Sequence, residues 1–211
     1  SLSISQFMVG FFFFNGYATD KNLNNAFKYF KLAAEQNEES SLLMIAHFYK
    51  NGLGIVDVNI EKAIKYAKLA ADKGYVLAQN NLGVYYRLKE YEGRDLKQSF
   101  KYYKLAADQG QALSQNNLGV MYFRGEFVKK DINKAVQLFK LSSDQGDRSG
   151  QYNLANSYEF GIGIKKDLKE AVRLLKLSAE KGKVLSLVSL GTKYSSGIGV
   201  PKNLAKAFVY F

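Results

Sequence analysis

Asn117-Leu118-Gly119-Val120, followed closely by Tyr122, repeats Asn81-Leu82-Gly83-Val84, which stands 36 residues upstream and is also followed by tyrosine. The series continues in Asn153-Leu154-Ala155 and Ser189-Leu190-Gly191 at the same interval. Working outward, one small-residue column runs through Gly10, Ala46, Gly83, Gly119, Ala155 and Gly191, and a second through Ala26, Ala63, Ser99, Ala135, Ala171 and Ala207. Both columns keep the 36-residue step except for one step of 37, between Ala46 and Gly83 in the first and between Ala26 and Ala63 in the second. The extra residue therefore lies in the loop between Gly52 and Ala63. A fixed period of this length marks a stacked array in which each unit buries its neighbour.

Each unit reads as two helices, A and B, because apolar or small residues recur at helical spacing in both halves: Ser114, Leu118 and Tyr122, then Ala135, Leu138 and Phe139. The residue four before the second column is Asn22, Asn59, Asp95, Asp131, Asp167 and Asn203. All six are good helix N-caps, since their side chains accept a bond from the free amides of the first turn, an interaction of about 1 kcal/mol each. At the far end of helix B stand Asn37, Gly74, Gly110, Gly146 and Gly182, residues that tolerate the left-handed conformation closing a helix. Gly-x-Gly turns join the two helices at Gly52 and Gly54, Gly161 and Gly163, and Gly197 and Gly199. The first unit has Asn15-Gly16-Tyr17 instead, and the third has Leu88-Lys89-Glu90-Tyr91-Glu92-Gly93-Arg94. The small columns predict close helix crossings, where leucine at Gly119 or Ala135 costs about 1–3 kcal/mol in overpacking.

Ser114-Gln115-Asn116-Asn117-Leu118-Gly119-Val120-Met121-Tyr122, the following Gly125, then Asp131, Ala135 and Gly146 resemble the Sel1-like repeat, a relative of the tetratricopeptide repeat with a longer period. The resemblance covers the whole chain. It implies an all-α, right-handed α/α superhelical solenoid of about six helix-turn-helix repeats. A single domain over 1–211 is expected, with repeats at about 1–38, 39–75, 76–111, 112–147, 148–183 and 184–211, the last one truncated inside its second helix. Capping logic then predicts that the array is cut, or that Phe208 and Tyr210 meet a neighbour in end-to-end association. The family's role as a scaffold and adaptor implies that the partner is another protein.

Composition narrows the chemistry. At 211 residues, with 47% hydrophobic and 23% charged side chains, the chain has the make-up of a folded protein with a core. It contains no cysteine, which removes disulfides, thiolate nucleophiles and cysteine-ligated metal centres. The longest apolar run, around Phe11 to Phe14, is far below the roughly 20 residues of a membrane-spanning helix. The start, Ser1-Leu2-Ser3-Ile4, carries no basic leader region, and a signal segment removed upstream would leave the same residues. The single histidine, His47, has no second histidine or cysteine with which to share a metal. Gly161-Ile162-Gly163 lacks the third glycine of a phosphate loop, and neither Gly-x-Ser-x-Gly nor His-Glu-x-x-His occurs. Catalytic, metal and cofactor residues are therefore expected to be none, and the protein is expected not to be an enzyme.

The expected binding surface is the side of helix A turned away from Ser114, Leu118 and Tyr122. Column by column it reads Phe12, Phe48, Tyr85 and Met121, then Ser157 and Lys193, with Asn81, Asn117 and Asn153 one turn away. An aromatic row can anchor a peptide or a helical segment in a concave groove, and stacked asparagines can hold a peptide backbone. Packing between adjacent A helices accounts for the aromatic row as well, and interhelical bonds for the asparagines. The alternative is electrostatic. The formal charge is +11, and Lys31, Lys68, Lys104, Lys140 and Lys176 recur at one position of helix B, a ribbon for an acidic protein, an anionic membrane or nucleic acid. Nucleic acid is the weakest of these, because no aromatic platform is interleaved with the lysines.

Overall fold

The structure, a computed structural model, describes residues 1–17, 20–88 and 92–211. Twelve α-helices and no strand are present among them. They divide into two compact units, Ser1–Tyr102 and Tyr103–Phe211. The first holds α1 (Leu2–Asn15), α2 (Leu23–Glu35), α3 (Glu39–Asn51), α4 (Ile60–Ala71), α5 (Val76–Arg87) and the start of α6 (Leu96–Asp108). The second holds the rest of α6, then α7 (Ala112–Arg124), α8 (Ile132–Asp144), α9 (Arg148–Phe160), α10 (Leu168–Glu180), α11 (Val184–Ser196) and α12 (Leu204–Tyr210). Odd-numbered helices are the A helices and even-numbered ones the B helices.

The capping residues set the helix ends. Asn22, Asn59, Asp131 and Asn203 each accept from the amide three residues on, and Asp95 and Asp167 from the amides both two and three on. Each bond satisfies amides that no helical carbonyl can reach. At the other end of helix B, Asn37, Gly74, Gly110, Gly146 and Gly182 all take positive φ. The one-residue insertion sits in the connection between α3 and α4, residues 52–59, against 161–167 between α9 and α10. In the third repeat, residues 89–91 of the loop lie outside the described residues, as do residues 18 and 19 of the first.

Gly119 shows why the first column is small. A β-carbon there would stand 2.8 Å from Phe139 Cε1, 2.9 Å from its Cδ1 and 3.2 Å from the Ala135 carbonyl oxygen. Gly10 lies in the same way against Phe30 and the Ala26 carbonyl. The ring that fills this space stands four residues after the helix-B column. Where that register position is Ala67 or Leu175 rather than a ring, the A-helix column is Ala46 or Ala155 rather than glycine. Size is traded across one contact, keeping the crossing close-packed.

The hydrophobic cores follow from these crossings. In the first unit Phe48 sits among the rings of Phe14, Phe27 and Phe30, at centroid distances of 5.8, 5.5 and 6.0 Å. In the second unit Phe139, Leu154, Leu174, Leu175 and Leu190 are buried together. Helices A and B of a repeat are further clamped by stacked rings, Tyr49 on Tyr66 at 5.8 Å and Tyr194 on Tyr210 at 5.6 Å. Lys62 and Lys206 lie over Tyr49 and Tyr194 respectively, adding a cation–π contact to each stack.

Candidate protein-binding cleft

The A-helix face left open in the second unit is set by what the other faces are doing. In α7, Gly119 meets α8 through Phe139, and Asn116 accepts a 2.7 Å hydrogen bond from Asn153 Nδ2 on α9. The residues remaining at the surface are those one and four positions after the small column: Val120 and Phe123 on α7, Asn156 and Glu159 on α9, and Thr192 on α11. They line two cavities. One of about 150 Å³ lies between α7 and α9, with Val120, Phe123, Arg124, Asn153 and Asn156 in its wall. The other, about 460 Å³, extends to α11 and includes Tyr152, Glu159, Phe160, Val188, Thr192 and Lys193. Phe123, Asn156 and Ile162 belong to both, so the two cavities form one cleft lined by both apolar and polar side chains.

The charged pair of the cleft is Lys193 with Glu159. Lys193 Nζ lies 2.6 Å from Glu159 Oε1, and the two side chains are 4% and 20% exposed. Lys193 occupies the register position held by Phe48, Tyr85 and Met121 in earlier repeats, all of them buried. A long cationic side chain is there because this position points back toward the preceding helix pair, where Glu159 supplies the counter-charge.

That same direction corrects the expected aromatic row. Phe48, Tyr85 and Met121 are buried core residues, Phe48 among rings of the preceding helices α1 and α2, and so do not line an open groove. Phe12, in the first helix pair, is 42% exposed. Burial pushes the Tyr85 phenol up to about 12. Asn81, Asn117 and Asn153 are half-buried. Of these, Asn153 lines the smaller cavity while bonded to Asn116. Sequence reasoning missed Phe123, Asn156 and Glu159. The visible signal was Lys193 itself, a cation in a column otherwise filled by aromatic or uncharged residues.

Outside the cleft, the helix-B lysines Lys31, Lys68, Lys104, Lys140 and Lys176 are all exposed, with Lys104 paired to Asp108 at 2.6 Å. His47 lies at the surface of α3, its Nδ1 3.0 Å from Asn51 Nδ2 and its ring against the edge of Phe14. Partial burial, helped by Lys50, lowers its pKa. Among the described residues no group of three or more His, Asp or Glu is placed to hold a metal, and no helix is long and apolar enough to cross a membrane. Tyr210 is held by Tyr194, whereas Phe208 is 85% exposed.

Paired helices at a fixed period, capped alike and leaving an A-helix cleft open, define an all-α repeat protein of the solenoid class. The Sel1 repeat model matches residues 3–38, 40–75, 76–111, 112–147, 148–183 and 185–211, and the chain belongs to the Sel1 repeat family. A Sel1 repeat protein from Oxalobacter formigenes is 29% identical over 99% of this chain and 83% of that one, with a TM-score of 0.89. A protective antigen present in uropathogenic Escherichia coli strains is 30% identical, with a TM-score of 0.79, over 99% of this chain and 44% of its own. An immunity protein from Pseudomonas aeruginosa shares the fold at 18% identity and a TM-score of 0.64, over 88% of this chain and 70% of that one. A comparison with curated proteins returns no match. Sel1 repeat proteins generally act through protein–protein interaction and are generally non-catalytic.

Proposed function

We propose that residues 1–211 form one non-enzymatic interaction domain that binds a peptide or helical segment of another protein in the α7–α9–α11 cleft. The observation that carries this reading is the continuity of the two cavities through Phe123, Asn156 and Ile162. A cleft with apolar walls and a few convergent polar groups is the usual form of a recognition site, and aromatic side chains commonly anchor interfaces. The test is selection of random dodecapeptides on the immobilised chain, followed by Asn156→Arg, which fills the point where the cavities meet. Selected peptides should lose binding to this variant while its melting temperature is kept. Equal binding to the variant refutes the reading.

Exposure of the helix-B lysines favours a second reading, attraction to an anionic surface. It predicts steep weakening between low and high salt and sensitivity to Lys140→Gln with Lys176→Gln, neither of which cleft binding shares.

A further inference from the structure

Lys193 is more deeply buried than the partner that neutralises it, and that asymmetry has a consequence for what the cleft accepts. An ammonium offers three donors, and Glu159 is its one ion-pair partner among the described residues. The pair stands in the wall of the larger cavity beside Asn156 and Thr192, with Tyr152, Phe160 and Val188 around it. A buried ion pair contributes little net stability, but leaving one member buried and unpaired is expensive. Glu159, at 20% exposure, can swing into water; Lys193, at 4%, cannot.

An incoming carboxylate can therefore take the place of the Glu159 carboxylate, leaving Lys193 paired and Glu159 solvated. A cationic ligand that captured Glu159 would strand Lys193 without a counter-charge. We propose that Lys193 and Glu159 form an anion subsite in the cleft, selecting a peptide partner that carries an aspartate or glutamate flanked by apolar residues, with Glu159 as the displaceable stand-in for the partner's carboxylate. The inference rests on the cleft reading above and adds to it the chemistry of the occupant.

The experiment compares dodecapeptide pools selected on the full chain, on Glu159→Gln, and on Lys193→Met combined with Glu159→Gln. Methionine is chosen because Met121 holds this register position in the fourth repeat, and thermal melting checks that each variant folds. Wild-type pools should be enriched in Asp or Glu beside an apolar anchor, and the double variant should lose that enrichment. Removing the competing carboxylate by Glu159→Gln should tighten an acidic peptide about tenfold, the size of one charge-assisted hydrogen bond, and leave its Gln-substituted counterpart unchanged. A purely structural ion pair predicts no gain in Glu159→Gln. Pools blocked by Asn156→Arg but without acidic preference, or with the same preference in the double variant, overturn the subsite and leave the cleft standing. If the wild type selects no peptide, or only peptides indifferent to Asn156→Arg, both fall.

Discussion

Alanine at Gly119 and alanine at Gly191 should change stability in opposite directions, although the two glycines share one register position. At Gly119 the new methyl would meet Phe139 ring atoms at 2.8 and 2.9 Å and the Ala135 carbonyl at 3.2 Å. Phe139 is buried and cannot turn away. Overpacking of this kind costs about 1–3 kcal/mol, and replacing glycine within a helix returns about 1 kcal/mol, so the net loss should reach up to about 2 kcal/mol. At Gly191 the three nearest atoms the methyl would meet all belong to the ring of Phe211, which is 73% exposed and free to swing aside, so the helical gain of about 1 kcal/mol should dominate. Phe139→Leu opens the space that Gly119→Ala fills, reproducing the pairing of Ala155 with Leu175, and the double variant should recover about 1 kcal/mol relative to the sum of the single changes. Urea midpoints followed by circular dichroism measure all four proteins. Equal signs for the two alanines, or strict additivity of Gly119→Ala with Phe139→Leu, would refute the size-matching account.

Three other outcomes follow from the same geometry. Asp131→Ala removes the acceptor for the Lys134 amide and should lower stability by about 1 kcal/mol in the same urea assay, with Asp131→Asn close to wild type. Because burial favours the neutral Tyr85 phenol, its stabilising effect is complete below the ordinary tyrosine value and is lost as pH rises toward about 12. An ultraviolet titration should accordingly lose a late-ionising phenol in Tyr85→Phe. Lys140→Gln with Lys176→Gln should leave the affinity of a cleft-selected peptide unchanged in an anisotropy titration, since both lysines are exposed on a B-helix face.

Helix ends were legible in the sequence because capping is local: Asn203 reads as a cap from its own residue type, and it bonds the Lys206 amide three residues away. The small columns were legible for a related reason, since only a tight crossing favours glycine at Gly10 and Gly119. The open face of helix A was not legible, because it depends on which neighbour covers each side. Met121 and Val120 differ by one residue, yet Met121 is buried while Val120 lines the smaller cavity. A periodic pattern identifies the apolar positions but does not distinguish the side facing a partner helix in the same chain from the side left for a ligand. Lys193 was visible as an oddity, and its pairing with Glu159 required coordinates.

The shared N-caps and positive-φ helix endings have a consequence for how such a chain can change length. Gain or loss of a whole 36-residue unit by recombination joins like chemistry to like, so the junctions keep their register. Small indels are admitted only in the connections, as the one additional residue between α3 and α4 illustrates. A single deletion inside α7 would rotate Gly119 off Phe139 and present a bulkier neighbour to the ring, so length variation should concentrate at the loops and at whole-unit steps.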